Sequence, residues 1–260
     1  MPYVVILAGP NGAGKSTLAP GLVRDLLGIK DFVNADTIAR GLAAFDVESV
    51  ALRAGRIMLE RLQDLADRGA DLAFETTLAS RSFAPWIRGQ RERGYHVHLA
   101  YVWSPTPALN VARVAGRVRA GGHDIPVDVI GRRYAGSLRN FFDLYLPLAD
   151  SWAVYDNASG KAVRGVAEGT GTSAARVHSH SIWGEMQRTY RPVPTDERID
   201  IPEPLSDMKR VEQVLTGEVR QALRRHKLLG ESIAVSHDGK VVILSPEEIP
   251  DFPEEETPAR

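Results

Sequence analysis

The stretch GPNGAGKST at residues 9–17 stands directly behind the apolar run YVVILA at 3–8 and opens a helical pattern over 15–27. No other feature restricts the fold as much. Gly9, Pro10, Asn11, Gly12, Ala13, Gly14, Lys15 and Ser16 fit G-x-x-x-x-G-K-[ST]. A phosphate chain must be met by several inward-pointing backbone N–H groups. Only positions without a side chain let the backbone wrap that closely. The helix that follows offers its unpaired N–H groups and the positive end of its dipole. Lys15 would reach the β- and γ-phosphates, Ser16 would hold Mg2+, and Thr17 stands beside it. Strand, loop and helix fall in the order a nucleoside triphosphate cradle needs, which a bare glycine turn does not require.

The rest of the chain fits an α/β architecture of the P-loop kinase type. Apolar runs at 3–8, 31–35, 71–77, 95–103 and 151–157 read as about five buried strands. Helical patterns fall between them, at 15–27, 46–68, 81–93, 106–119 and 126–146. Strand alternating with helix implies a parallel sheet covered on both faces. The expected domain is 1–160. Residues 161–205, rich in Gly, Ser, Pro, Arg and Glu, read as a linker or loosely ordered arm. A helix over 206–230 and a hairpin over 232–245, turned at Asp238–Gly239, read as a small accessory module. The acidic, proline-rich end of 206–260 reads as a frayed tail.

Composition narrows the function. The net charge of −1 gives no basic field for nucleic acid. The absence of cysteine removes disulfides, thiolate metal sites and thiol nucleophiles. No apolar run is long enough to span a bilayer, so a soluble, cytoplasmic protein with no membrane partner is expected.

A phosphate cradle leaves open where the γ-phosphate goes. There is no guanine-reading NKxD stretch. A small-molecule kinase needs a base, an acidic group near the metal, and cations that follow the moving charge. Asp36, in FVNADTIA, lies at the carboxyl end of the second strand, where ligands gather in such sheets. It is the candidate base, and equally a good helix N-cap. Glu75, in LAFETTLAS, sits at the end of the third strand and could hold a metal-bound water or orient the acceptor. Thr76 and Thr77 follow it and could bond substrate. The cations come from NVARVAGRVRAGGHDIPVDVIGRRY, where AGGHDIP reads as a hinge between two arginine-bearing helices. Arg117 or Arg119 before it and Arg132 or Arg133 after it are the candidates for a closing lid. Solvated surface is the alternative for most of them.

The motifs AGPNGAGKST, FVNADTIA, AFETTLAS and RVRAGGHDIPVDVIGRRYAGSLRNF together resemble the zeta toxin family of P-loop kinases, in its short form, over about 3–157. That resemblance implies ATP and Mg2+ as cofactors, and a hydroxyl of UDP-N-acetylglucosamine as acceptor. It also implies an antitoxin as partner. By position, Asp36 matches the general base and Glu75 the substrate-side carboxylate. Lys15 and the lid arginines, Arg117, Arg119 and Arg132 with Arg133, match the phosphate clamps. An antibiotic-modifying phosphotransferase and a non-catalytic ATP-binding switch are the other readings. The C-terminal module is read either as a regulatory, antitoxin-like inhibitor of the kinase or as an element that completes the fold or mediates dimerisation.

Overall fold

The computed structural model describes residues 1–44, 46–47, 49–189, 205 and 207–252. Five strands, β1 (Tyr3–Ala8), β2 (Asp31–Asn34), β3 (Leu72–Thr76), β4 (His96–Trp103) and β5 (Ser151–Asp156), pair in parallel in the order β2-β3-β1-β4-β5. The central strands are apolar at nearly every position because both of their faces are covered. Val4, Ile6 and Ala8 of β1 point into one core with Phe74, Leu99 and Tyr101. Leu7 points into the other with Ala100, Val102 and Tyr155.

The first core is closed by α3 (Ala51–Asp67), α4 (Ala84–Glu92) and α6 (Val127–Asn140), whose Met58, Leu62, Ile87 and Leu138 are buried in it. On the second face α1 (Lys15–Ala19) runs on into a wider π-helical segment, Pro20–Leu26, and buries Leu18, Leu22 and Leu26. α2 (Ala35–Leu42) packs on α3, and α5 (Pro107–Arg119) meets α6 through Val114, Ile125 and Ile130. Thr106 caps α5 by accepting from the Leu109 N–H, and Pro107 supplies a pre-set first turn.

One sequence expectation is corrected here, and a second is narrowed. Residues 164–189, expected within a linker, are ordered. β6 (Arg164–Thr170) and β7 (Ser173–Val177) extend the sheet antiparallel from β5, making seven strands, and α7 (His180–Thr189) follows. The glycines that read as loop signals are close-packing points: a side chain at Gly165 would meet the Met208 sulfur at 2.6 Å, and Gly169 lies under the Trp152 ring. Trp152 stacks in turn on Trp183 of α7, with ring centroids 5.3 Å apart. The remainder of the expected arm, 190–204, lies outside the described residues.

Secondly, the helix assigned to the accessory module packs into the main core, in keeping with the reading in which that module completes the fold. α8 (Met208–Leu228) carries Met208, Val211, Leu215, Val219 and Leu223 at helical spacing, and all five are buried with Leu18, Leu22 and Leu26. An amphipathic helix of this length needs an apolar partner, and the sheet face beside α1 supplies one. The hairpin forms as expected from β8 (Ile233–His237) and β9 (Lys240–Leu244). Asp238 and Gly239 take positive φ at its turn. The tail at 253–260 lies outside the described residues.

Candidate active site

The phosphate loop leaves the carboxyl end of β1. Gly12 and Gly14 have φ of +79° and +99°, and a Cβ on Gly12 would stand 2.7 Å from the Asn110 carbonyl oxygen. Glycine is therefore required there by both conformation and space. Asn11 and Ala13 are buried, as are Gly9 and Pro10. No side chain caps the start of α1 at Gly14. The loop and first turn thus present amide hydrogens with no competing side-chain acceptor, an arrangement suited to an anion.

Lys15 is buried, with its ammonium 3.0 Å from the Pro10 carbonyl oxygen and 3.7 Å from Glu75. Burial pulls its pKa down and Arg117 adds to that, while the carboxylates of Glu75 and Asp36 oppose it. Lys15 therefore feels Asp36, Glu75 and Arg117 at once. The structure brings together four residues that the sequence scatters over a hundred positions.

The parallel register explains how. Glu75 lies opposite Leu7 on one side and Asn34 on the other. Its carboxylate accepts from the Ser16 hydroxyl at 2.9 Å and from the Asn34 side-chain amide at 2.8 Å. Asn34 also uses its side-chain oxygen to accept from the N–H groups of Asp36 at 2.7 Å and Thr37 at 3.2 Å. Asn34, and not Asp36, is the N-cap of α2. The capping role weighed for Asp36 is thereby corrected: its carboxylate sits exposed in the first turn, free of that duty.

Ser16 and Glu75 form a hydroxyl–carboxylate pair beside the anion cradle. Among the described residues no cluster of three acidic or histidine side chains could hold a metal. The pair fits Mg2+, which takes few protein oxygens and keeps waters and phosphate oxygens in its shell. Thr17 lies in the first turn of α1, half-buried, with its N–H bonded to the Gly14 carbonyl.

After β3 the chain makes a strained turn. Leu78 has φ +56° with its side chain fully buried, an unusual conformation for a bulky residue. The Thr76 hydroxyl accepts from the Leu78 N–H and the Thr77 hydroxyl from the Ala79 N–H. Both threonines, expected to face substrate, are thus engaged in shaping this turn, with a hydroxyl proton each left to donate. Asn140 of α6 donates to the carbonyls of Leu78 and Ala79 at 2.7 and 3.2 Å, and the Tyr145 hydroxyl donates to Ser80 at 2.6 Å.

The arginines divide. Arg117 influences Lys15 and donates to the His123 carbonyl at 2.8 Å, so it also braces the 120–126 hinge. Arg119, Arg132 and Arg133 are exposed, with no hydrogen bond or ion pair among the described residues. Arg113 is half-buried behind the phosphate loop, where backbone carbonyls hold it. Sequence reasoning missed Asn34 and Asn157. The signal for Asn34 was the polar residue ending an apolar strand two positions before Asp36.

The family comparison fits this geometry: residues 4–140 match the model of a family described as AAA domain. The chain belongs to that family. Within this AAA-domain setting, an uncharacterised protein of Haemophilus influenzae (strain ATCC 51907 / DSM 11121 / KW20 / Rd) is 29% identical over 130 residues, half of this chain and 91% of that protein. The fold is shared with the AvrRxo1-ORF1:AvrRxo1-ORF2 structure with sulphate ions, at a TM-score of 0.58 and 14% identity, over 84% of this chain and 76% of that one. The same complex with ATP gives 0.56 and 17%, over 86% and 76%. A structure of the PezAT chromosomal toxin–antitoxin system of Streptococcus pneumoniae gives 0.52 and 17%, over 84% and 87%. The P-loop kinase-type fold expected from the zeta toxin resemblance is therefore the one the AAA-domain chain has. No helix among its described residues is long and apolar enough to cross a membrane.

Proposed function

We propose that the protein is an ATP-dependent small-molecule kinase of the zeta toxin type, with an alcohol as acceptor. The observation that supports this is the cluster of Lys15, Glu75 and Ser16 beside the phosphate loop at the carboxyl ends of β1 and β3, with Asp36 two residues beyond Asn34, which bonds the same carboxylate. ATP would seat its phosphates on residues 9–17, with Lys15 on the β- and γ-phosphates. The neighbour that binds ATP in the same fold supports that nucleotide. Mg2+, held at Ser16 and Glu75, would offset phosphate charge.

In the transfer, the acceptor oxygen bonds the γ-phosphorus as the bond to the ADP oxygen breaks. The Asp36 carboxylate takes the acceptor proton. Lys15, Arg117, Arg119 and Arg132 follow the charge on the moving group. Glu75 and Arg133 would meet the acceptor, and Thr76 and Thr77, whose oxygens accept from the turn, could reach it only with their hydroxyl protons. The zeta resemblance favours UDP-N-acetylglucosamine as acceptor, an antitoxin partner and a cytoplasmic setting; the toxin–antitoxin neighbour supports the partner.

The test is to incubate the protein with ATP, Mg2+ and a panel of nucleotide sugars and hydroxylated antibiotics, and to find by mass spectrometry which compound gains a phosphate. Asp36→Asn should abolish that gain while nucleotide binding persists. Binding without any phosphorylated product would reduce the protein to an ATP-gated binder.

A further inference from the structure

A loop that turns its N–H groups inward to phosphate turns carbonyl groups outward, and these need donors of their own. Two residues behind the phosphate loop supply them. Asn157 donates from its side chain to the Ala13 carbonyl at 2.9 Å. The Arg113 Nη1 points at the Gly12 carbonyl at 3.5 Å. The rest of the Arg113 guanidinium is fixed by other segments. Its Nη2 donates to the carbonyls of Asn157 at 2.8 Å and Ala158 at 3.2 Å, and its Nε donates to the Ala234 carbonyl at 3.1 Å. The group is planar. Once Nε and Nη2 are held, the direction of Nη1 is set.

One of the two holds comes from β8, near the far end of the chain. The hairpin is seated on the same spot by further contacts. The Ser236 N–H donates to the Ala158 carbonyl at 3.0 Å, Val235 lies against Gly160, and Ala234 packs with Leu109 and Ala158. Arg113 meets carbonyl dipoles at each of its bonded nitrogens and no carboxylate directly, and burial lowers its pKa to about 10, so it remains charged at neutral pH.

We propose that the hairpin Ile233–Leu244 is a working part of the nucleotide site. By docking on α5 and on the 157–160 loop it seats Arg113 against the outward carbonyls of the phosphate loop, and so sets how tightly that loop holds a nucleoside triphosphate. Arg113 and Asn157 are positioning residues in this scheme and do not touch the nucleotide. The inference rests on the nucleotide reading above.

The experiment uses the full chain and a fluorescent N-methylanthraniloyl ATP, competed with ATP. Arg113→Lys keeps the charge but not the fork. Val235→Ser loosens the hairpin at Gly160. Ser236→Pro removes an N–H that bonds Ala158 and not β9, so the hairpin's own ladder keeps its hydrogen bonds while its seat on the 157–160 loop is lost. Each variant should weaken ATP about tenfold, the loss of one charge-assisted or backbone hydrogen bond at the loop. Arg113→Lys combined with either hairpin change should be little worse than Arg113→Lys alone, because both act through one group. A merely structural hairpin would lower the melting temperature and leave ATP affinity at wild type, and that result overturns the inference. Losses that multiply in the double variants overturn it too. If one hairpin variant fails to fold, the other decides. A wild-type chain that binds no ATP analogue breaks the nucleotide reading itself, whereas unchanged hairpin variants of a binding chain break only this inference.

Discussion

The two sides of the candidate site are built differently. On the strand side, Lys15, Ser16, Glu75 and Asn34 are tied to one another and to the backbone, and the Asn34 amide has a partner at each end. On the helix side, Arg119, Arg132 and Arg133 stand in solvent. Only Arg117 reaches electrostatically to Lys15. The contrast separates two catalytic tasks. The strand side is preorganised, so its groups need not reorient during reaction. On the helix side Arg113 ties α5 to the phosphate loop and to β8, so on the kinase reading any closing movement falls to α6 and to the 120–126 segment, where Gly121 has φ +81°.

Breaking the contrast from the mobile side should give the largest effect. We predict that Arg117→Ala lowers kcat about 10²-fold or more, the range for removing a donor aimed at developing charge. Arg132→Ala should approach that value only if the helices close. A kcat within twofold of wild type for Arg132→Ala, read by steady-state phosphate transfer, would show that α6 stays open during turnover.

A smaller effect tests the fixed side. Asn34→Ser retains a cap oxygen for the Asp36 and Thr37 N–H groups but loses the donor to Glu75, whereas Asn34→Ala loses both. The expected order of stability is wild type, then Ser, then Ala, with the cap alone contributing about 1 kcal/mol. Both variants should lower kcat about tenfold, since each frees Glu75, a change of the size of one hydrogen bond. Equal kcat for wild type and Asn34→Ser would mean that Ser16 alone orients the carboxylate.

A further effect, confined to stability, lies away from the site and serves as a control on it. His98 is buried on β4, shares the Ser151 hydroxyl with His96, and has its pKa lowered to about 3 by burial and then by His96. The unfolded chain takes up this proton near pH 6.5 and the native chain does not. The stabilisation is therefore complete above pH 6.5 and falls away as the pH drops from there toward about 3, at about 1.4 kcal/mol per pH unit. Between pH 7 and 5 the melting temperature should fall by roughly 5 °C, and His98→Gln should flatten that slope.

Much of this was legible in the sequence because local chemistry and global packing agree there. The glycine loop, the five parallel strands, Lys15, Asp36 and Glu75 all follow from residues whose neighbours in sequence announce their surroundings. β6 was illegible for a physical reason. Gly165 and Gly169 mark where Met208 and Trp152 press on the strand, and those partners are distant in sequence. Asn34 was hidden because its two hydrogen-bonding ends serve different elements, a division only the β2–β3 register reveals. Arg113 lies in the arginine-rich stretch that the sequence reads as lid. Its position one helical turn before Arg117 says nothing of the four carbonyls around it.

Because α8 seals the sheet face beside α1, a ribosome that has released only the first 160 residues has released the whole phosphate loop but leaves Leu18, Leu22 and Leu26 without their α8 partners. That apolar face is closed only once α8, as far as Leu223, can pack on it.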